Sequence, residues 1–505
     1  MIEILLITPN SVTFEIKNTS CFFTDKYQVY LNDEYLFDSK RNVLSLYDLK
    51  SGMHYVLEIK GKVNYRIEFT TLNKKPVYYS SINEGGLNDD TFSMQKAIDN
   101  LKEDEFLIID KTYKVTSLFI SSFKIINLTR TGLILGETDR NKYPVFKFDS
   151  FLNGKPLGTW EGEKEDCFAS TINFLGSHDS MIYGQGKIDE QANLSDWWIN
   201  HRQKRIAYRP KGVFIHTSNN IVLEGITICN TPSWNQHPFY SNNLKYLNLT
   251  LQNPFNSPTT DGIDPESCKN VLIIGCKISV GDDCIAIKSG KLALAREYKT
   301  PSSFITIRNC LMENGHAGVT LGSENSGGIN NVSVSNCLFI STDRGLRIKS
   351  QRGRGNLALI EKIDFNNIEM LGVKSPFVIN AFYKSGRDIL DYRYDQNYRK
   401  FDEYTPIFKS FTFKNIKCED VSYGLAYLVG LPESKIKEVN FENISVSYLK
   451  DSSPGEMAMS GEKLEFNHIG IYAKNIEKIT LKNVIFKSPP SEKFVLFNVD
   501  KIEED

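Results

Sequence analysis

The chain has 505 residues, of which 41% are hydrophobic and 24% are charged, and its formal net charge is -1. This length exceeds what one compact core accommodates, so we expect two or more units or an elongated solenoid. The balanced charge argues against a nucleic-acid-binding protein, which usually carries a basic excess, so any attraction for an anionic ligand must come from a local cluster.

The sequence also bears on membranes, cofactors and redox state. No apolar run reaches the roughly 18–20 residues of a membrane span, and the first nine residues lack the basic leader of a signal peptide. The nine cysteines are an odd number without the paired spacing of a metal site. We therefore expect a cytoplasmic protein with reduced cysteines, no membrane partner, no metal and no organic cofactor.

A small domain is predicted at the start of the chain. Residues 1–72 alternate short apolar strands with turns, which predicts a β-sandwich of about seven strands. This segment resembles a fibronectin type III module. We expect residues 73–80 to be a linker and residues 81–505 to form the second unit, with the leading domain serving as a spacer or as a wall near a groove.

One helix is predicted before a long β region. It lies within residues 88–98, and the apolar residues Phe92, Ala97 and Ile98 fall roughly at helical spacing. A single helix at this point would cover the open end of a coiled sheet.

A repeated strand pattern follows from about residue 221. Each copy reads apolar-x-apolar-x-(Asn or Gly)-apolar, and the first six copies recur at intervals of 23 to 34 residues. The nine copies are residues 221–226, 244–249, 271–276, 305–310, 332–337, 363–368, 411–416, 439–444 and 479–484. Strands with a period of two that recur at this interval predict a β-solenoid. Cys276, Cys310 and Cys337 end three copies, and we expect them to stack inward as small hydrophobic residues.

Carboxylates cluster at two neighbouring turns of this solenoid. Asp261 and the pair Asp282–Asp283 are 21 residues apart, close to one turn, so we expect Asp261 to lie beside the pair. Glycoside hydrolysis usually needs one protonated and one ionised carboxyl group astride the bond. Crowded like charges raise at least one pKa, which keeps an acid protonated. The alternative is a solvated acidic turn.

Cationic residues follow on the next coils. His316 lies in a glycine-rich turn, where backbone approaches a ligand closely. Arg347 and Lys349 are two residues apart on one strand and therefore point to the same face, with Ile348 facing the core. Two adjacent cations suit the binding of a carboxylate, Arg through its planar fork. A solvated basic loop is the alternative.

These motifs together resemble the polygalacturonase family, glycoside hydrolase family 28. The family pattern Asn-Thr-Asp-Gly, Asp-Asp, Gly-His-Gly and Arg-Ile-Lys appears in order at residues 259–262, 282–283, 315–317 and 347–349. Thr259 replaces the Asn and Ala317 replaces a Gly. The resemblance covers most of residues 80–505. It implies an all-β chain whose main domain is a right-handed parallel β-helix, preceded here by the small sandwich.

The resemblance implies roles for the three carboxylates. Asp282 matches the general acid that protonates the leaving oxygen. Asp261 and Asp283 match the carboxylates that hold and deprotonate the attacking water. The family inverts the anomeric configuration, which agrees with carboxyl groups ~6.5–9.5 Å apart.

The resemblance also implies the substrate-binding residues. His316 matches a residue that supports the acid and binds substrate, and Arg347 and Lys349 match the pair that grips galacturonate carboxylates. Tyr383 matches a tyrosine on the substrate side. His237 is a further candidate for the groove.

The expected partner is therefore a pectic oligosaccharide, and several features favour cleavage from the chain end. Residues 347–355 and 322–328, together with the leading domain, resemble bacterial exo-acting members. A cytoplasmic enzyme would also meet imported oligogalacturonides and not intact pectin. We expect inverting hydrolysis of α-1,4-galacturonosidic bonds by an exo-acting enzyme.

Three other functions stay open at this point. A hydrolase of rhamnogalacturonan or of another pectin backbone shares these motifs. A pectate lyase shares the solenoid but needs calcium and a basic catalytic residue. A carbohydrate-binding or adhesin solenoid without activity is the alternative outside the enzymes, since a fold alone does not fix function.

Overall fold

The computed structural model describes residues 1–384 and 391–505, and it begins with a seven-stranded β-sandwich. A three-stranded antiparallel sheet faces a four-stranded one. Their strands are Ile2–Ile7, Val12–Ile16 and Val43–Leu46 in the first, and Phe23–Leu31, Glu34–Arg41, His54–Lys60 and Tyr65–Thr70 in the second. Phe14, Val29 and Leu57 are fully buried between them. The predicted sandwich is confirmed.

The rest of the chain coils into three parallel sheets. The first sheet contains Lys75–Tyr78, Glu105–Ile109, Ile125–Leu128, His178–Gly184, Asn219–Glu224, Asn242–Leu247, Lys269–Ile274 and Ser302–Arg308. The second contains Thr112–Val115, Leu133–Gly136, Lys187–Asp189, Thr227–Cys229, Thr250–Gln252, Lys277–Ser279 and Leu311–Glu313. The strands Ile329–Ile340, Leu359–Leu371, Ser410–Val421, Ile436–Tyr448 and Ile469–Phe486 continue the first sheet and run on to the position of the second.

The third sheet is the one that carries the site described below. Its strands are Leu118–Ile120, Ile172–Leu175, Val213–His216, Gln236–Phe239, Ile285–Ile287, Val319–Gly322, Arg344–Lys349, Ser375–Asn380 and Gly424–Val429. The beginning of Ile469–Phe486 and then Phe494–Glu504 pair onto its end. The fold is the predicted all-β right-handed parallel β-helix preceded by a sandwich.

The repeat explains why the chain coils. Its apolar positions stack in register, so that Val271 pairs with Ile305 and Ile305 with Val332, all of them buried. The Asn or Gly slot adopts a left-handed backbone, as at Gly225 and Asn248. Only Gly, and more rarely Asn, tolerates this conformation readily, which turns the chain from the first sheet to the second. All nine predicted copies fall on strands of the first sheet.

The sandwich packs on the first sheet through buried polar contacts. Glu224 of the solenoid is fully buried and accepts hydrogen bonds from Thr13, Ser45 and Tyr47 of the sandwich, at 2.9, 2.5 and 2.7 Å. A buried carboxylate would cost several kcal/mol without such donors. The contact therefore fixes the leading domain to the side of the solenoid.

A second contact of the same interface involves an ion pair. Arg308 of the solenoid donates two hydrogen bonds to Glu15 of the sandwich, both 2.7 Å long, and Asn309 donates a third. Strand Lys75–Tyr78 lies within the predicted linker and pairs with Glu105–Ile109, so the solenoid begins inside that segment.

The helices and cysteines complete the fold. The predicted helix spans Thr91–Asn100 and buries Met94 and Ile98, whereas Phe92 is 82% exposed and does not share the buried face. A second helix spans Leu292–Tyr298, and short 3-10 turns span Tyr79–Ser81, Arg140–Lys142, Ala192–Leu194 and Asp391–Tyr394. All nine cysteines are buried and unpaired, as expected. Within the described ranges, no helix combines the length and apolar character that crossing a membrane requires.

Short hairpins interrupt the coil. They pair Val145–Phe146 with Cys167–Phe168, Phe151–Leu152 with Lys155–Pro156, Thr159–Trp160 with Glu163–Lys164, and Gly455–Glu456 with Glu465–Phe466. The short strand Ile407–Phe408 pairs with the start of Leu359–Leu371.

Candidate active site

The three predicted carboxylates lie at turns that lead into the third sheet. Gly262 N donates to Asp283 O at 3.0 Å, so the turn of Asp261 lies directly against that of Asp283. Gly281 opens the second turn, and a Cβ there would come within 2.3 Å of Ser257 O, so the close approach requires glycine. The side-by-side placement predicted from the 21-residue spacing is observed.

The three carboxylates form one cluster. One oxygen from each of Asp261, Asp282 and Asp283 lies within 4.8 Å of the other two. An acidic cluster can attract a cation, but cationic side chains already bind Asp283.

Asp283 is held by the predicted cationic pair. Lys349 Nζ donates to Asp283 Oδ2 at 2.7 Å and Arg347 Nη1 donates to Oδ1 at 3.2 Å. The three side chains are 0 to 10% exposed, so the alternative of a solvated basic loop is wrong. Burial raises the pKa of Asp283, but Lys349 and Arg347 outweigh it and hold that pKa well below its usual range. Asp283 is therefore an ionised carboxylate.

Asp282 pairs with His316. His316 Nδ1 lies 3.2 Å from Asp282 Oδ1, and His316 N donates to Asp282 O at 2.9 Å. Burial raises the pKa of Asp282, but the hydrogen bond with His316 helps to lower it on balance. The same hydrogen bond raises the pKa of His316. The predicted contact of His316 with Asp282 is present, and the two shifts favour a proton on His316 beside an ionised Asp282.

Asp261 has the opposite electrostatics. Burial, followed by the charges of Asp282 and Asp264, raises the pKa of Asp261 well above its usual value, and burial raises that of Asp264 to about 8. We expected crowding to keep at least one of these carboxyl groups protonated. In the structure the raised pKa values belong to Asp261 and Asp264, because the hydrogen bond with His316 lowers the pKa of Asp282.

A cleft of about 330 Å³ opens above Asp261 and Asp282. Lys349 and Tyr383 line it, as predicted, whereas Arg347 is absent from its lining. The Arg347 guanidinium lies under Met459, with Nη2 3.1 Å from Met459 Sδ. Among the described residues that line the cleft, none belongs to the sandwich, which favours a spacer over a wall.

The cleft is strongly cationic although the whole chain is not. Its lining residues in the described ranges include seven Lys or Arg side chains and four carboxylates. The cations are Arg202, Arg209, Lys288, Lys291, Lys349, Arg354 and Lys384, and the carboxylates are Glu161, Asp261, Asp282 and Glu324. A chain of net charge -1 needs a local excess of positive charge to bind an anion, and the cleft has that excess.

One end of the cleft contains an aromatic stack that the sequence did not predict. Trp160 and Trp234 lie nearly parallel with ring centroids 6.4 Å apart. Lys211 Nζ lies 3.8 Å from the centroid of Trp160 and 4.8 Å from that of Trp234. Such cation–π contacts stabilise a desolvated ammonium group. Trp160 lies on a hairpin and Trp234 lies on a coil of the solenoid, so no regular spacing in the sequence predicts their contact.

His237 is not in the cleft, and the prediction that it lines the groove is wrong. Its side chain is fully buried and Nε2 lies 2.8 Å from Glu266 Oε2, itself fully buried. Trp234 packs edge-on against its ring at 4.9 Å. Trp234, three residues earlier in the same segment, lines the cleft instead.

The Asp282–His316 pair predicts a pH dependence of stability. The raised pKa of His316 gives stabilisation that is complete below its ordinary value of 6.5 and is lost as pH rises through the folded value. The lowered pKa of Asp282 gives stabilisation that is complete above its ordinary 3.8 and is lost on acidification through the folded value. His316 is 41% exposed, so the effect should be about 1 kcal/mol or less.

Thermal unfolding of the wild type and His316→Gln between about pH 4 and pH 9 tests this expectation. The difference in Tm should be largest between about pH 4 and 6.5 and should shrink above it. A difference that grows toward alkaline pH would contradict the pairing.

The fold and the carboxylate-lined cationic cleft define a solenoid glycoside hydrolase. The model of Glycosyl hydrolases family 28 matches residues 149–461, more than half of the chain. The chain belongs to this family.

Curated relatives share the family at moderate identity. The chain is 28% identical over 401 residues to a Vitis vinifera protein described as "Probable polygalacturonase", which covers 77% of this chain and 78% of that protein. It is 27% identical over 370 residues to an endo-polygalacturonase of Pectobacterium parmentieri, covering 71% and 84%.

Two solved structures share the architecture. The family 28 exopolygalacturonase of Yersinia enterocolitica matches with a TM-score of 0.72 at 16% identity, covering 99% of this chain and 98% of that one. The hyperthermoactive exopolygalacturonase of Thermotoga maritima matches with a TM-score of 0.65 at 25% identity, covering 82% and 92%. The first similarity, at such low identity, is one of fold.

Proposed function

We propose that this protein hydrolyses α-1,4-galacturonosidic bonds of oligogalacturonate and acts from the chain end. The observation that carries the proposal is the cleft in which Asp261 and Asp282 are surrounded by seven cationic side chains. A neutral sugar chain would gain little from that excess, whereas each galacturonate brings one carboxylate. The relatives described as polygalacturonases support the same substrate.

Asp282 is assigned the general acid. It lines the cleft and its partner His316 carries a proton because their hydrogen bond raises the pKa of His316. When Asp282 protonates the leaving oxygen, the proton of the pair moves to the sugar and the pair becomes anionic. His316 thereby supplies the proton that Asp282, whose own pKa is low, passes to the leaving oxygen.

Asp261 is assigned the base that deprotonates the attacking water. It lines the cleft within 4.8 Å of Asp282. Asp283 is fully buried and both its oxygens accept hydrogen bonds from Lys349 and Arg347, so it holds the geometry and the negative charge beneath the water. Direct displacement by water inverts the anomeric configuration.

Substrate binding falls mainly to residues at the open surface of the cleft. Lys349 and Tyr383 line it on one side of the carboxylates, and Lys349 Nζ lies 5.6 Å from the centroid of Tyr383. Arg347 acts through Asp283 and Lys349, since Met459 covers it. This assigns Arg347 a role in positioning.

Chain-end action is supported by insertions around the small cleft. One is the strap, residues 455–466, which is fixed across the third sheet: Arg344 donates to Glu456 O and Met457 O at 2.9 and 3.0 Å. Met459 O of the strap accepts from Asn380 at 3.0 Å. The hairpin that carries Trp160 lines the other side. We propose that these two segments stop a long polymer at the cleft.

Product sizing during digestion of polygalacturonate tests the mode of action. We expect monogalacturonate or digalacturonate alone from the earliest times, with slow loss of viscosity, beside an endo-acting enzyme assayed in parallel as control. An early ladder of mixed oligomers would contradict chain-end action. Faster cleavage of rhamnogalacturonan would favour the other backbone, and absorbance from an unsaturated product would indicate a lyase.

A further inference from the structure

Lys288 is a buried lysine at the centre of the carboxylate cluster. Its side chain is 4% exposed, and Nζ lies 3.1 Å from Glu324 Oε2, 3.5 Å from Asp264 Oδ1 and 3.8 Å from Asp261 Oδ2. Asp261 and Asp264 belong to one turn, and Glu324 follows strand Val319–Gly322. One ammonium group thus faces three acids, of which Asp261 lines the cleft.

The position of Lys288 follows from the register of the third sheet. It pairs with Glu266 on the preceding coil, and it is the residue that follows strand Ile285–Ile287. On the next coil Gly322 ends the strand, and Gly322 pairs with Lys349. A Cβ at Gly322 would come within 2.4 Å of Lys349 O, so this close approach of the two coils requires glycine. Lys349 Nζ donates to Asp283, whereas Lys288 Nζ donates to Glu324 and lies near Asp264 and Asp261.

The aromatic stack holds the lysine on its other side. Lys288 Nζ lies 4.5 Å from the ring centroid of Trp234. The ring face attracts the ammonium group without neutralising its charge, so the ammonium group still attracts the carboxylates. Trp234 also lines the cleft, and it therefore couples the substrate surface to the position of Lys288.

The charges that face this site are mostly acidic. Burial lowers the pKa of Lys288, but the charges of Glu324, Asp264, Asp261 and Asp283 raise it well above its usual value. On the acidic side, Lys288 opposes the burial that raises the pKa of Asp261. The remaining charged neighbours of these acids are Asp282, Lys349, Lys291, Arg354 and Glu266. The net effect is a lysine that stays charged throughout the working pH range.

We propose that Lys288 is a positioning residue that favours the ionised form of Asp261, through its ammonium group between Asp261, Asp264 and Glu324. This inference rests on the proposed hydrolase function, in which Asp261 is the base. No motif of the family resemblance included the residue. Lys288 does not touch the scissile bond in this assignment.

The test compares Lys288→Met with Lys288→Arg, which keeps the charge, and with Lys277→Met as a matched control. Lys277 lies on the same coil in the second sheet, where it pairs with Glu313 at 3.4 Å and is half exposed. The substrate is trigalacturonate, and kcat and KM are measured across pH. A higher Asp261 pKa makes rarer the form in which Asp261 is ionised and the Asp282–His316 pair carries a proton.

We expect Lys288→Met to move one limb of the bell-shaped profile of kcat/KM to higher pH by about one unit. The maximum should fall on the order of tenfold, since one pKa unit is tenfold in population. KM should change less than kcat, Lys288→Arg should recover most of the loss, and Lys277→Met should match the wild type. An unshifted profile, or a loss in KM alone, would overturn the inference.

Two further measurements keep the result interpretable. If Lys288→Met unfolds because three buried acids lose their cation, the double variant Lys288→Met with Glu324→Gln removes one negative charge, and its profile is measured instead. Titration of the Asp261 carboxyl by 13C NMR, assigned with Asp261→Asn, needs no substrate. A shift to higher pH in the variant supports the role of Lys288 even if the wild type releases no galacturonate, which would reject the proposed function alone.

Discussion

Replacing Asp282 by Asn should lower kcat on trigalacturonate by a factor on the order of 10²–10⁴, the usual contribution of one general acid–base group. The amide cannot donate the proton that the leaving oxygen needs. Its volume is nearly unchanged and the side chain is 23% exposed, so the fold should persist. Kinetics at the pH optimum, with calorimetric binding of trigalacturonate, measure both effects.

The matched control for this variant is Asp343→Asn. Asp343 is also partly exposed, and it pairs with Lys374 at 2.7 Å outside the cleft lining. Its kcat should equal that of the wild type. Asp282→Asn with full activity, or with binding lost and kcat retained, would remove Asp282 from the role of acid.

The second large effect is expected at Asp283, and it is one of stability. Asp283→Asn leaves Arg347 and Lys349 as adjacent buried cations without their common anion. Removal of one partner from a buried ion pair typically costs about 3–5 kcal/mol. The free energy of unfolding should fall by that amount, measured by denaturant titration, and activity should also be lost.

A double variant separates charge from packing at this position. Lys349→Met in the Asp283→Asn background removes one of the two uncompensated cations and should restore part of the stability while activity stays low. Asp282→Asn, whose pair is more exposed, should unfold near the wild type. If Asp283→Asn is as stable as the wild type, the buried triad does not hold the site together.

Much of the fold could be predicted from the repeat. The alternation at residues 271–276 fixes which side chains face inward, and the Asn or Gly slot marks the turn, because both depend only on local sequence. The coils before residue 219 were not recognised. The hairpins that carry Phe151 and Trp160 separate those strands and hide their interval.

The site was predictable where one coil lies on the next. Asp261 beside the pair Asp282–Asp283 follows from a spacing close to one turn, whereas the contact of Lys349 with Asp283, two coils away, was not predicted. The predictions that failed concerned how far a side chain lies from the cleft surface. His237 lies beneath the cleft, and Met459 of the strap covers Arg347. Contacts between distant segments, such as Trp160 with Lys211, have no counterpart in local sequence.

The central claim is that the protein hydrolyses a galacturonosidic bond across Asp261 and Asp282. Following wild-type protein with trigalacturonate by 1H NMR from the first minutes tests this claim. The account predicts galacturonate and digalacturonate, with the new reducing end appearing first as the β-anomer before mutarotation. A first product in the α-configuration would contradict direct displacement by water, and the absence of any cleavage would contradict the proposed function.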